Sequence, residues 1–94
     1  MLPDAWSMSD AAHRKAQRQR LYEDHIAPIT RFVDRLRLRH GDGVPYVDPD
    51  CGGTEAKLLF VLPRPGPRAA ETQFLSGGNP DQTARNHLNA LAEI

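Results

Sequence analysis

Apolar residues follow a helical spacing in the first half of the chain and form an unbroken run in its middle. In residues 25–39 they recur every three or four positions, in a stripe made of Ile26, Ile29, Phe32, Val33 and Leu36. This spacing predicts an amphipathic helix, and Pro28 suits its first turn, where no N–H is needed. Residues 11–24 are polar helix formers with few apolar positions, so they predict a second, weakly anchored helix.

The unbroken run covers residues 57–62 and ends in a turn rich in proline and glycine at 63–67. Apolar residues without alternation are typical of a strand that is covered on both faces, as in a parallel sheet. In open α/β sheets, ligands bind beyond the carboxyl ends of such strands. The turn is therefore the first place where we expect a functional site.

The C-terminal stretch predicts another helix, over residues 80–93. Asn79 suits the N-cap, Pro80 the first helical position, and Gln82 the third, from which a side chain can reach back to the cap. Residues 43–55 form a long loop of turn-forming types.

One strand cannot satisfy its own backbone groups, and the chain has no second run comparable to 57–62. We therefore expect an α/β fold with a basic helical segment at 1–40 and, at 41–94, the front part of a larger domain. The alternative is that the strand pairs with another chain.

Composition adds little about partners. The 94 residues include 12 Lys and Arg and 12 Asp and Glu, so the formal net charge is zero. The stretch 14–39 is locally basic, which can mark a phosphate-facing surface, although a solvated helix face is the more common explanation. No stretch is long and apolar enough to span a membrane and no signal peptide is recognisable, so we expect a soluble, cytoplasmic protein.

Metal chemistry is poorly supported by the sequence. The single cysteine, Cys51, cannot form an internal disulfide or hold zinc or an iron–sulfur cluster by itself. Asp48 and Asp50 flank a proline, where carboxylates are more often turn formers than metal ligands. The four histidines show no ligand spacing. We predict no metal and no cofactor.

Four stretches together resemble the uracil-DNA glycosylase superfamily, and in particular its bacterial glycosylase-like branch. Residues 44–53 resemble the segment before the first strand, and 57–62 that strand. Residues 63–67 resemble the first active-site motif, a polar residue and a small residue followed by Pro-Gly, and 74–86 resemble the aromatic loop with its following helix. The resemblance implies a three-layer αβα domain that removes uracil from DNA, in base-excision repair, by hydrolysis after the nucleotide is flipped out of the duplex.

The resemblance also implies site residues. Four would contact the base, namely Arg64, Pro65, Gly66 and Phe74. Four would contact DNA phosphates, namely Arg68, Ser76, Asn79 and Arg85. Phe74 would stack on uracil, and glycine at position 66 would let the backbone approach the base. The residues alone favour a loop aromatic tucked on the core for Phe74 and a solvent-facing turn residue for Arg64; with the resemblance, stacking and core packing are equally good alternatives for Phe74.

Departures from the family pattern predict that this chain does not excise bases, so no catalytic residue is assigned. Pro63 stands where the family has a polar residue that helps to position the attacking water, and Arg64 replaces a small residue. The later motif, whose histidine stabilises the uracil anion, would lie beyond Ile94. The expected partner is uracil-containing DNA. The alternative is a non-enzymatic relative that binds nucleic acid through its basic helices or self-associates.

Overall fold

Two helices form the first half of the chain in the computed structural model, which describes residues 6–59 and 64–92. The first helix, α1 (Ala11–Gln19), begins at Asp10, whose carboxylate accepts a hydrogen bond from the N–H of Ala12. The second, α2 (Ala27–His40), ends at Gly41, where φ is 84°. Glycine adopts this positive φ without strain and so stops the helix. The prediction of two N-terminal helices is confirmed, although α1 ends at Gln19 and residues 20–26 form turns instead of continuing the helix to residue 24.

The sheet consists of two short parallel strands, β1 (Tyr46–Val47) and β2 (Phe74–Leu75). Tyr46 lies opposite Phe74, and Val47 opposite Leu75. The short helix α3 (Ala69–Thr72) comes directly before β2. The described residues therefore form a mixed α/β fold, and its strands lie in parts of the sequence that we predicted as loops.

The prediction of a strand at 57–62 is wrong for the part of it that the structure describes. Residues 57–59 belong to no strand, and Leu58 and Leu59 are 53% and 83% exposed. Residues 60–62 lie outside the described residues. An apolar run becomes a strand only where a neighbour takes up its backbone N–H and C=O groups, and within 6–59 and 64–92 no strand lies beside residues 57–59.

The C-terminal helix, α4 (Gln82–Ala92), confirms the prediction of a helix in this region but not its cap. Asp81 caps it, because its carboxylate accepts a hydrogen bond of 2.8 Å from the N–H of Ala84. Asn79, which we predicted as the N-cap, is buried instead. Its amide donates to the carbonyl of Phe74 (2.8 Å) and accepts from the hydroxyl of Thr72 (2.7 Å).

The core joins the N-terminal segment to the sheet. Met8 and Phe74 are fully buried and pack with Leu21, and Tyr46 packs against this cluster. In α2, Val33 is buried as the stripe predicts, whereas Phe32 is 53% exposed. No helix in the described part of the chain is long and apolar enough to cross a lipid bilayer.

The loop after β1 is packed on the segment that leads into α2. The N–H of Thr54 donates to the carbonyl of His25 (2.7 Å), and the ring Nε2 of His25 lies 2.7 Å from the carbonyl oxygen of Pro49. A Cβ at Gly53 would lie 2.0 Å from the carbonyl oxygen of His25. Only glycine allows this approach, which fixes the loop that carries Asp48 and Asp50.

Candidate functional site

The carboxyl ends of the two parallel strands meet at one edge of the sheet, and each is followed by a polar residue. Asp48 comes directly after β1 and Ser76 directly after β2. The Ser76 hydroxyl donates a hydrogen bond to the Asp48 carboxylate and accepts one of 2.9 Å from the N–H of Gly78. This edge is where α/β folds usually bind ligands, so we treat it as the centre of the candidate site.

Asp48 ties this edge to α1. It is only 3% exposed, and its Oδ1 accepts hydrogen bonds from Nε2 of Gln17 (2.9 Å) and from the N–H of Asp50 (3.0 Å). Together with Ser76, three donors from three segments point at one carboxylate. A buried polar group is tolerated when its hydrogen bonds are satisfied in this way, so Asp48 stabilises the edge of the sheet. The hydrogen bond from the N–H of Asp50 also makes Asp48 a turn former, as the sequence indicated.

A charged cluster lies beside Asp48. The guanidinium of Arg20 bonds both Glu23 and Asp50, and these bonds raise the pKa of Arg20. Burial alone would raise the pKa of Asp50, but hydrogen bonds from Arg20 and Gln17 outweigh it and hold that pKa below its usual value. The hydrogen bond from Arg20 likewise lowers the pKa of Glu23, so both carboxylates stay ionised and paired with Arg20. Within the described ranges, no group of three His, Cys, Asp or Glu residues could hold a metal ion.

The structure places Phe74 in the core, where its ring is fully buried with Met8 and Leu21. This is the second of the two alternatives that the sequence left open. The ring could stack on a base only after the segment that carries Met8 had moved away. Among the other residues predicted to contact the base, Arg64 and Pro65 are exposed and Gly66 is half-buried. Base contact by these residues stays a prediction.

The turn at residues 64–68 lies against the start of α4. The N–H of Arg68 donates to Oδ2 of Asp81 (3.0 Å), and a Cβ on Gly66 would lie 2.9 Å from the same oxygen. The N–H of Arg85 donates to the carbonyl of Asp81 (3.1 Å). The structure therefore brings together two stretches that carry the family resemblance, around a residue that we did not single out. Its signal was a carboxylate in the first turn of a predicted helix.

The four predicted phosphate contacts divide into two groups. Arg68 and Arg85 are exposed, and their backbone N–H groups both bond Asp81, the first at its carboxylate and the second at its carbonyl. Ser76 and Asn79 are engaged internally: the Ser76 hydroxyl donates to Asp48, and the Asn79 amide bonds Thr72 and Phe74. Their side chains support the loop after β2.

A separate polar cluster joins α2 to β1. Asp34 accepts hydrogen bonds from the hydroxyls of Tyr22 and Tyr46 (2.5 and 2.7 Å), and the Arg37 guanidinium lies 4.7 Å from the centre of the Tyr46 ring. The bond to Asp34 raises the pKa of Tyr22, and burial together with the bond to Asp34 raises that of Tyr46 to about 12. The two tyrosine bonds lower the pKa of Asp34.

These pKa shifts predict that the stability of the fold depends on pH. Because the folded-state pKa of Tyr46 is raised, its stabilising contribution is complete below the unfolded value of about 10 and is lost as the pH rises towards about 12. The folded-state pKa of Asp34 is lowered, so its contribution to stability is lost as the pH falls into the acid range. Alkaline titration of tyrosinate absorbance should place both tyrosines above their usual range. Asp34→Asn should lower both midpoints, whereas the exposed Asp24→Asn should not; unchanged midpoints in Asp34→Asn would contradict this cluster.

No protein-family model, curated protein or solved structure matches this chain.

Proposed function

We propose that this chain is the front part of a uracil-DNA glycosylase-like domain of three-layer αβα architecture, and that it binds DNA without excising uracil. The observation that carries the proposal is the close approach of the turn at 64–68 and the start of α4. The backbone N–H groups of Arg68 and Arg85 both bond Asp81, and both residues are exposed. Two arginines at neighbouring points can contact successive phosphates of one strand.

The parallel pairing of the strands supports the architectural part of the proposal. β1 and β2 each offer an outer edge with no strand beside it among the residues that the structure describes. Parallel strands are buried on both faces in α/β proteins and seldom occur as an isolated pair. Further strands of a larger sheet would satisfy both edges.

The chemistry of the strand ends supports the absence of hydrolysis. A general base needs a carboxylate that is free to take a proton from water. Asp48 accepts hydrogen bonds from Gln17, Ser76 and Asp50 and is buried, so water has no access to it. At the motif position where the family has a polar residue, this chain has Pro63, which has no polar side chain to orient water and lies outside the described residues.

The proposal predicts measurable DNA binding and no base release. Single- and double-stranded DNA with one uracil should bind with an affinity that falls as salt is raised, because arginines displace counterions from phosphates. Incubation of the same DNA, followed by alkaline cleavage at abasic sites, should give no product. Binding can be followed by fluorescence anisotropy, with uracil-free DNA as the matched substrate. Base release above the no-protein control would contradict the absence of catalysis, and unmeasurable binding to every substrate would contradict the proposed function.

Self-association is the second candidate function, and the exposure of Leu58 and Leu59 favours it. Two adjacent leucines that are 53% and 83% exposed are an apolar surface that a second copy could cover. Sedimentation of the samples used for DNA binding distinguishes the two candidates. A concentration-dependent oligomer that binds no DNA would support self-association alone.

A further inference from the structure

Asp81 makes two hydrogen bonds to backbone groups of different segments. Oδ1 accepts from the N–H of Ala84 within α4, and Oδ2 accepts from the N–H of Arg68 in the turn. The first bond is an ordinary helix cap. The second crosses to a segment 13 positions earlier in the chain and is not needed for capping. One carboxylate therefore both starts α4 and holds the turn against it.

Asp10 shows what a capping aspartate does in this chain without such a link. Its Oδ1 accepts from the N–H of Ala12 at 2.9 Å, at the start of α1, and both residues are exposed. Among the described residues, its carboxylate makes no hydrogen bond or ion pair to another segment. The second bond thus separates Asp81 from a plain N-cap.

Gly66 supports the same contact from the turn. A Cβ at this position would lie 2.9 Å from Oδ2 and 3.3 Å from Oδ1 of Asp81, and 3.3 Å from the Cβ of Thr83. The absence of a side chain at Gly66 leaves room for the carboxylate to reach the N–H of Arg68. Turn and carboxylate therefore fit each other, and a methyl group at Gly66 would push the carboxylate away.

We propose that Asp81 is a positioning residue for DNA binding, which fixes the turn at 64–68 so that Arg68 and Arg85 face the same stretch of phosphate backbone. The inference rests on the proposed function. A carboxylate beside a phosphate-binding surface repels DNA, so this role requires that the gain from orienting Arg68 outweighs the repulsion. The Arg68 side chain also pairs with Glu71 at 3.0 Å, but this pair is exposed and a phosphate can compete with it.

Two variants break the hydrogen bond between Asp81 and the turn, and only one of them changes the charge. Asp81→Asn keeps the cap, because asparagine caps helices as well as aspartate does, but its NH2 group cannot accept from Arg68 and a negative charge is lost. Gly66→Ala keeps the charge and displaces the carboxylate. Asp10→Asn is the matched control, since it removes one charge from an N-cap that has no link. Backbone amide exchange in the free protein reports the link directly, and salt-dependent DNA binding reports its effect.

Both link variants should speed the exchange of the Arg68 amide while the Ala84 amide in Asp81→Asn stays protected. Gly66→Ala should weaken DNA binding roughly tenfold, as for the loss of one charge-assisted hydrogen bond, and reduce the salt slope by about one. Asp81→Asn should weaken it less, and Asp10→Asn should not weaken it. If both link variants bind as tightly as the unaltered chain, the inference is wrong and the proposed function stands. If the unaltered chain binds no DNA, the proposed function fails and the inference fails with it.

Discussion

Replacing Phe74 with alanine is expected to lower the free energy of unfolding by about 3–5 kcal/mol, because it removes a fully buried ring and leaves a cavity. Among the described residues Phe74 has the largest fully buried side chain, and it connects Met8 and Leu21 to the sheet. A loss of this size is a large fraction of the stability of a small domain. Urea unfolding followed by circular dichroism should show a variant that is largely unfolded without urea or that unfolds at a much lower urea concentration.

Phe32→Ala is the matched control, since it makes the same change at a ring that is 53% exposed. It should cost about 1 kcal/mol or less. Phe74→Leu fills most of the space and should fold. If the Phe74 ring of the unaltered chain stays in the core when DNA binds, this variant should bind DNA with unchanged affinity. Equal destabilisation by the two alanine variants would contradict the core described above. Weaker DNA binding by a stable Phe74→Leu would indicate that the ring leaves the core to stack on a base.

Replacing Asp48 with alanine is expected to lower the free energy of unfolding by about 2–4 kcal/mol. The change leaves the donors of Gln17, Ser76 and Asp50 without their acceptor at a buried site, and each unsatisfied buried donor costs about 1–3 kcal/mol unless water reaches it. The edge of the sheet and α1 should loosen together. Faster exchange of the Asp50 amide, alongside the lower urea midpoint, would report this.

Asp48→Asn separates hydrogen bonding from charge. Its Oδ1 can still accept from Gln17 and Asp50, and its amide can donate to the Ser76 hydroxyl, which rotates to accept. We expect Asp48→Asn to keep most of the stability that Asp48→Ala loses. Asp42→Ala, at a side chain that is 94% exposed, should have little effect. If Asp48→Ala were as stable as Asp42→Ala, Asp48 could not be the residue that holds the strand ends.

The three longer helices, α1, α2 and α4, could be predicted from the sequence because their signals are local, whereas the four-residue α3 lies in a stretch predicted as loop. The stripe through Ile26 and Val33, the proline in the first turn of α2 and the glycine after it lie within one segment. The cap of α4 was assigned to the wrong residue because Asn79 and Asp81 are both good caps in sequence. Only the tertiary contacts of Asn79 with Thr72 and Phe74 decide between them.

The sheet and the centre of the site could not be predicted, because they depend on pairs that are far apart in the chain. β1 and β2 have two residues each, too few to show alternation. The apolar run at 57–62 looked more like a strand, but backbone pairing rather than apolarity decides. Gln17 and Asp48 are 31 positions apart, so no spacing rule could have linked them.

The measurement that tests the proposed function most directly compares DNA binding by two variants with equal loss of charge. In the first, three exposed arginines of the turn and α4 become glutamine, namely Arg64, Arg68 and Arg85. In the second, three exposed arginines of α2 become glutamine, namely Arg31, Arg35 and Arg39. Fluorescence anisotropy with uracil-containing DNA over a range of salt gives the affinity and the salt slope for each. We predict that the first variant loses most of its binding and of its salt slope while the second keeps both. Loss of binding only in the second would assign DNA contact to the basic helices, and would contradict a binding surface at the turn and α4.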